Sequence, residues 1–292
     1  MKEITVFTHG RPEETTKALG VLLARAAAAG VLLRFDEDET RKHHMLDAPG
    51  VELNAEAKDD VDLCLVLGGD GTILRALRRY AGTEVPVFSI NFGAIGFLAT
   101  VEPKDIEDGI QRALTGEFEL LRLPAIVLDG MGAGFGSGSA GAGGDPLAIN
   151  DVAIHRKVGE RVAELAYALQ GEEVGSVRCD GLVVATPAGS TGYNLANGGP
   201  VMAWGVEGFL VSFIAPHSLT ARALVVAPGD RLTIRNRSRE PLDVAVDGRP
   251  SGEIAAGATI DVHFRNGVGV IAQLPGSSFY RRLREKFGRL AN

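Results

Sequence analysis

The feature that most constrains the fold is a nearly continuous apolar run, Val61–Leu67, that leads directly into the glycine-rich turn Gly68–Thr72. A strand this apolar has to be covered on both faces, which is typical of parallel sheets connected by helices. Strand-like and helix-like patterns alternate over this part of the chain. Residues 1–100 are therefore predicted to form an α/β domain with a parallel sheet. Its predicted strands are Ile4–Phe7, Val31–Phe35, Val61–Leu67 and Val85–Ile90, and a helix is predicted over Thr72–Tyr80.

From about Leu120 the pattern changes to short strands separated by turn signals such as Pro228-Gly229-Asp230. Residues 101–275 are therefore predicted to form an all-β-rich domain. A final helix over Ser277–Leu290, within residues 276–292, is expected to pack on the N-terminal domain. The predicted strands are Ala125–Leu128, Leu147–Ile154, Arg161–Gln170, Gly181–Thr186, Phe209–Ile214, Leu224–Val226, Arg231–Arg235, Leu242–Val246, Thr259–Phe264 and Gly269–Leu274.

Composition excludes several classes of partner. Thirty basic residues against 37 acidic ones give a net charge of −7, which argues against nucleic acid. Apolar stretches such as Phe209–Ala215 are far shorter than the roughly 20 residues that cross a bilayer, so no membrane is expected. Cys64 and Cys179 lack any paired spacing, which excludes a disulfide framework and predicts a cytoplasmic protein. The six histidines show no metal-ligand spacing, so no metal site fixed by the protein alone is expected.

The turn Gly68–Thr72 is the strongest candidate for chemistry. Its glycines allow a ligand to approach the backbone closely, and the amides at the start of the following helix favour an anion. Asp70 would repel a phosphate unless it binds Mg²⁺ or takes a proton from an attacking hydroxyl. The alternative is an ordinary turn in which Asp70 caps the helix.

A second candidate is the polar stretch Thr186–Asn194, which follows a predicted strand. Its hydroxyl groups could donate to phosphate or ribose, and the Tyr193 ring could stack on a base; a polar turn without ligand is the alternative. The glycine-rich segment 130–144 is interpreted as a surface loop, or else as a mobile flap over a site.

These motifs belong to a longer series, which in chain order is Gly68–Thr72, Asn91–Leu98, Asn150-Asp151, Asp180–Pro200, Pro216–Leu219 and Asp247-Gly248. In order and spacing the series resembles the NAD kinase family over roughly residues 60–275. The first turn by itself also occurs in diacylglycerol- and sphingosine-type lipid kinases, whereas the Asp180–Pro200 block is more specific to NAD kinases.

The resemblance implies a fold with an α/β domain followed by a β-rich domain. It implies transfer of a phosphoryl group from ATP, or from polyphosphate, to the 2′-hydroxyl of the adenosine ribose of NAD, with Mg²⁺ or another divalent cation accompanying ATP. It also implies a homodimer or a homotetramer. Asp70 matches the general base of the family. The phosphate-facing turn would consist of Gly68, Gly69, Gly71 and Thr72. The NAD-binding residues would be Asp70, Gly71, Arg75, Asn150, Asp151, Arg161, Arg178, Asp180, Ala188, Thr191, Gly192, Tyr193 and Asn194.

Some roles have alternatives. In the family, an arginine at the position of Arg178 is associated with preference for NAD over NADH; here it could instead form a salt bridge with Asp180. Arg161 could reach a phosphate or lie at a strand edge. Two other functions remain as alternatives to an NAD kinase: a lipid kinase, which the basic run Arg281–Arg289 would fit, and a non-catalytic NAD(P)-binding sensor.

Overall fold

The computed structural model describes residues 1–94, 96–130 and 146–288. The chain divides into two compact units, of which unit 1 comprises Met1–Arg122 and Gly269–Asn292, and unit 2 comprises Leu123–Val268. Unit 1 is thus discontinuous in sequence, because unit 2 is inserted into it. The glycine-rich segment interpreted above as a loop or flap lies outside the described residues, apart from Gly130.

The helices and strands follow one another in the order β1 (Glu3–Thr8), α1 (Pro12–Ala29), β2 (Leu32–Arg34), α2 (Glu37–Lys42), β3 (Val51–Glu52), β4 (Leu63–Gly68), α3 (Asp70–Arg79), β5 (Val87–Asn91), α4 (Ile106–Thr115), β6 (Glu119–Asp129), β7 (Leu147–Ala148), β8 (Asp151–Arg156), β9 (Ala163–Leu169), β10 (Glu172–Cys179), β11 (Gly181–Ala185), α5 (Tyr193–Ala196), β12 (Phe209–Ile214), β13 (Leu224–Val226), β14 (Leu232–Asn236), β15 (Leu242–Val246), β16 (Arg249–Ile254), β17 (Thr259–Gln273) and α6 (Phe279–Phe287).

Unit 1 contains a parallel sheet in which the strands lie in the order β3-β2-β1-β4-β5. The end of β17 adds a further parallel pairing through Ile271 and Val87. Strand β4 is buried along its whole length, and apolar side chains of α1 and α4 pack in the same core. Because the strands are parallel, their carboxyl ends lie at the same edge of the sheet. The last residues of β1, β4 and β5 at this edge are Thr8, Gly68 and Asn91. The α/β prediction for the N-terminal part is confirmed.

Unit 2 is built from antiparallel strands. One sheet has the order β13-β12-β11-β8-β15-β16, and β10, β9, β14 and the first part of β17 pair in another. The core between them contains Ile154, Val184, Phe209 and Ile234. In the first sheet the start of β8 lies opposite the end of β11, with Asp151 paired to Ala185. This pairing brings the Asn150-Asp151 motif beside the turn that begins at Thr186, and the predicted β-rich fold is confirmed.

Several elements differ from the sequence expectation. Helix α4 begins after residue 100 and yet belongs to unit 1. Helix α6 also falls in unit 1, and for it no such difference arises, since the final helix was expected on the N-terminal domain. Strand β10 was not expected, because it begins with two glutamates and Gly175 interrupts its alternation. The two strands expected near the C-terminus are one long strand, β17. Among the described residues, no helix combines the length and apolar character needed to span a bilayer.

Candidate active site

Asp70 is the first residue of α3, directly after the buried strand β4. Gly69 occupies the N-cap position, and no side-chain hydrogen bond caps this helix. Instead, Oδ2 of Asp70 accepts a hydrogen bond from the backbone N–H of Phe97 (3.1 Å), and Oδ1 accepts one from Leu98 (3.0 Å). The alternative in which Asp70 caps its own helix is therefore not observed. The carboxylate is held instead by the loop that follows β5, which contains Phe97 and Leu98.

The glycines of this turn differ in how much space a side chain would find at each position. A Cβ atom on Gly69 would lie 2.9 Å from the Cα atom of Gly93, which belongs to the loop after β5. The backbones of the two segments therefore pack directly against each other. A Cβ atom on Gly68 would meet the Thr72 side chain at 2.7 Å. No atom lies within 4 Å of the corresponding position on Gly71. Gly71 therefore faces open space in the first turn of α3, where backbone amides have no partner within the helix and favour an anion.

Arg75, one helical turn after Asp70, is held by unit 1 itself. Its guanidinium donates to Oε1 of Glu39 at 2.5 Å and lies 4.6 Å from the centre of the Phe7 ring. The Glu39 carboxylate is fully buried and also binds Lys42 and Thr8. The charge of Arg75 is therefore shared with a buried carboxylate. The NAD contact that the family resemblance implies for Arg75 stays a prediction.

In unit 2, Asp247 shapes the Asn150-Asp151 motif. Its carboxylate accepts hydrogen bonds from the backbone N–H groups of Ile149 (3.2 Å), Asn150 (2.7 Å) and Asp151 (3.2 Å). Its own N–H donates to the carbonyl of Asp151 at 2.9 Å. The sequence placed Asp247 in the motif series that resembles the family, but sequence reasoning assigned it no role. The structure shows that it fixes the backbone of both neighbouring candidate residues.

The Asp151 carboxyl is buried, and this burial together with the charge of Asp247 raises its pKa to about 7. The Tyr193 ring lies nearby and stacks on His155, with 5.6 Å between ring centres and 20° between planes. Burial and the charge of Asp151 raise the pKa of Tyr193. A Cβ atom on Gly192 would lie 3.7 Å from Oδ2 of Asp151. The structure therefore brings Asp151, Gly192 and Tyr193 together.

The turn after β11 packs closely on the same motif. A Cβ atom on Gly189 would lie 2.0 Å from the carbonyl oxygen of Asn150, so this position requires glycine. The Asn194 amide is fully buried and donates to the carbonyls of Ser190 (3.1 Å) and Pro200 (2.9 Å). The buried Asn194 side chain therefore stabilises the backbone of this turn through these two hydrogen bonds. Ala188 is buried as well, and the Thr191 hydroxyl donates to its carbonyl at 3.1 Å.

Asp180 has a partner that the sequence did not indicate. Its Oδ1 accepts a hydrogen bond from Nε of Arg156 at 2.6 Å, and this contact lowers the pKa of Asp180. The alternative salt bridge between Arg178 and Asp180 is not observed. Arg156, Arg161, Arg178 and Arg239 line one cavity of about 560 Å³ in unit 2. The two arginines predicted from the sequence are therefore neighbours.

Replacing Asp151 with asparagine is expected to stabilise unit 2 at alkaline pH. The pKa of Asp151 rises from 3.8 to about 7 on folding, so the folded chain loses stability as the pH rises through this interval. A difference of one pKa unit between the folded and unfolded chain corresponds to about 1.4 kcal/mol of folding free energy. Thermal unfolding followed by the single tryptophan, Trp204, is expected to show a higher Tm for Asp151→Asn at about pH 8 and little difference at about pH 4. An equal gain at both values, or the same gain in the exposed control Glu240→Gln, would contradict this expectation.

In the described ranges 1–94, 96–130 and 146–288, no three His, Cys, Asp or Glu side chains are grouped so that they could hold a metal ion. Asp70 lies in unit 1, whereas Asp151 and Asp180 with their neighbours lie in unit 2.

Two family models match this chain. Residues 17–118 match the ATP-NAD kinase N-terminal domain, and residues 149–267 match the ATP-NAD kinase C-terminal domain. Among solved structures, yeast NADH kinase complexed with NADH superimposes with a TM-score of 0.85 at 21% identity, covering 100% of this chain and 89% of that one, and shows a shared fold. An NAD kinase from Archaeoglobus fulgidus in complex with ATP superimposes with a TM-score of 0.70 at 26% identity, covering 100% of this chain and 99% of that one.

Two curated relatives are similar over at least nine tenths of their lengths. The NAD kinase of Gemmatimonas aurantiaca is 33% identical over 282 residues, which cover 92% of this chain and 90% of the relative. The NAD kinase of Symbiobacterium thermophilum is 35% identical over 291 residues, which cover 98% of this chain and 95% of the relative. With both family models matched in the expected order, the chain is a kinase and belongs to the NAD kinase family.

Proposed function

We propose that this protein transfers a phosphoryl group from ATP to the 2′-hydroxyl of the adenosine ribose of NAD, producing NADP and ADP. The observation that carries the proposal is the position of Asp70. Its carboxylate stands at the N-terminus of α3 and is held by two backbone amides from a neighbouring loop. A carboxylate beside amides that favour phosphate suits a base that acts on a hydroxyl next to a phosphoryl group.

In the proposed reaction Asp70 accepts the proton of the 2′-hydroxyl as its oxygen attacks the terminal phosphorus of ATP. The bond between that phosphorus and the bridging oxygen breaks, and the electron pair leaves with ADP. The amides of the turn Gly68–Thr72 bind phosphate oxygens, and the open space beside Gly71 leaves room for them. Arg75 contributes positive charge from the next turn of the helix.

Asn150 and Asp151 are proposed to contact NAD. Oδ1 of Asn150 is buried and has no hydrogen-bond partner among the described residues, so it offers an acceptor to a ligand hydroxyl or N–H group. The Tyr193 ring is 38% exposed and provides a stacking surface. The other residues proposed to surround the dinucleotide are Asp70, Gly71, Arg161, Arg178, Asp180, Ala188, Thr191, Gly192 and Asn194.

Mg²⁺ or another divalent cation is proposed to enter with the phosphates of ATP, because phosphate and carboxylate oxygens are its preferred ligands. Polyphosphate is an alternative donor, since amides that bind phosphate do not read a nucleobase. A homodimer or homotetramer is proposed, to be checked by light scattering on purified protein. The buried free thiols Cys64 and Cys179 suit the reducing cytoplasm.

The test is an assay of NADP formation by purified protein with NAD, ATP and Mg²⁺. NADP is expected to form when all three are present, and not when one of them is left out without a replacement. Parallel reactions replace ATP with polyphosphate, NAD with NADH, or NAD with diacylglycerol. Binding of NAD without any NADP would contradict the proposal and favour a sensor, and phosphorylation of diacylglycerol alone would favour a lipid kinase.

A further inference from the structure

We propose that Arg282 of α6 is a positioning residue for Asp70, acting through the peptide group between Phe97 and Leu98. This inference rests on the proposed role of Asp70 as the base. Arg282 lies more than 200 residues after Asp70 in the chain, and both belong to unit 1. Its guanidinium donates to the backbone of the loop whose amides hold this carboxylate.

The first step concerns one peptide group. The N–H of Leu98 donates to Oδ1 of Asp70 at 3.0 Å. The carbonyl of Phe97 belongs to the same planar peptide group, and it accepts a hydrogen bond from the Arg282 guanidinium at 3.0 Å. Because the peptide group is rigid, a rotation that broke one of these bonds would also break the other. Arg282 therefore fixes the direction in which the Leu98 N–H points.

The guanidinium also strengthens this donor. The same nitrogen of Arg282 donates to the carbonyl of Ala99, so one cation binds two carbonyls of the loop. Hydrogen bonds in a chain polarise one another, and a cation on the carbonyl makes the N–H of that peptide group a better donor. Burial lowers the pKa of Arg282, and the nearby carboxylates, including that of Asp70, act against this.

Other contacts of α6 hold the same loop in place. The Phe97 ring packs on Phe279 and on Phe287, with 5.8 Å between ring centres in each pair. At the other end of the loop, Lys286 binds Glu102 at 2.6 Å. Helix α6 thus contacts both ends of the loop, and its Arg282 side chain donates to the backbone of residues 97–99.

The test compares Arg282→Gln, Arg282→Lys and the control Arg281→Gln, an exposed neighbour on the same helix. Arg282→Gln is expected to lower kcat by about 10–100-fold, because a small displacement of a catalytic group is costly. The KM for NAD is expected to change less than about threefold, because Asp70 is displaced and the nucleotide contacts in unit 2 are not. Arg282→Lys keeps the charge and is expected to recover part of kcat. Arg281→Gln is expected to match the parent.

A double-mutant cycle shows whether Arg282 acts through Asp70. In the Asp70→Asn background, Arg282→Gln is expected to lower kcat by less than about threefold, because the group that it positions is already lost. An equal fractional loss in both backgrounds would overturn the proposal, as would an unchanged kcat in Arg282→Gln. If Arg282→Gln does not fold, Arg282→Lys completes the cycle under the same criteria. If Asp70→Asn itself retains full activity, the proposed base fails, and this outcome is distinct from a failure of Arg282 alone.

Discussion

Replacing Asp70 with asparagine is expected to lower the rate of NADP formation by about 10²–10⁴-fold, the usual contribution of a general base. Asparagine has nearly the same shape as aspartate but cannot accept the proton of the 2′-hydroxyl. Its Nδ2 group would also face one of the two amides that now donate to the carboxylate, from Phe97 and Leu98. The rate is measured with saturating NAD and ATP, so that the loss is read as kcat.

The control for this variant is Asp47→Asn, which removes an exposed carboxylate from the same unit. It is expected to leave the rate unchanged. Circular dichroism of Asp70→Asn establishes that the variant is folded. A folded Asp70→Asn variant that retains more than about a tenth of the parental rate would exclude Asp70 as the general base.

The second large effect is expected from Glu39→Gln, which should lower the stability of unit 1 by about 3 kcal/mol. The Glu39 carboxylate accepts hydrogen bonds from Arg75 (2.5 Å), from Lys42 (2.7 Å) and from the hydroxyl of Thr8 (2.6 Å). Burial alone would raise its pKa, but the hydrogen bonds from Lys42 and Thr8 outweigh burial and lower it. Glutamine would leave two cations facing a neutral amide.

Two spectroscopic signals separate the units in this experiment. The long helices α1, α3, α4 and α6 lie in unit 1, so far-UV circular dichroism reports mainly its unfolding. Trp204, the single tryptophan, lies in unit 2. In urea, the transition followed by circular dichroism is expected at a lower urea concentration for Glu39→Gln than for the parent. The matched control Glu37→Gln, which removes an exposed carboxylate of the same helix, is expected to change this transition little.

The pH dependence tests the cause of this effect. A carboxyl with a lowered folded pKa stabilises the folded state above its ordinary value of 4.5, and this contribution is lost as the pH falls through the folded pKa. The difference in unfolding free energy between the parent and Glu39→Gln is therefore expected to become smaller at acidic pH. A difference that stays constant down to about pH 3 would show that lost packing, and not lost charge, is responsible.

The parts of the site that were predictable have local signals. An apolar strand followed by Gly68–Thr72 predicts a strand, a turn and a helix, and this is what β4 and α3 form. The partners of Asp70 could not be predicted in the same way. They are backbone amides of Phe97 and Leu98, and a backbone amide has no residue type that a sequence pattern could reveal.

Glu39 and Arg156 show a second limit. Glu39 lies in the acidic run Asp36–Glu39, which reads as a solvated helix face, yet it is fully buried because α2 packs at the end of β1. Arg156 ends β8, and the sequence pointed to Arg178 as the partner of Asp180 because Arg178 is its near neighbour in sequence. The contact with Arg156 depends on the pairing of β8 with β11, which sets two distant residues side by side.

The discontinuity of unit 1 has a consequence for biosynthesis. Its last strand segment and α6 follow unit 2 in the chain, so the ribosome completes unit 2 before it adds residues 269–288. A nascent chain can therefore form the β-rich unit early, while β5 still lacks its pairing with Ile271 and the loop at Phe97 lacks Arg282. Translation order thus delays the finished surroundings of Asp70 until unit 2 has been synthesised.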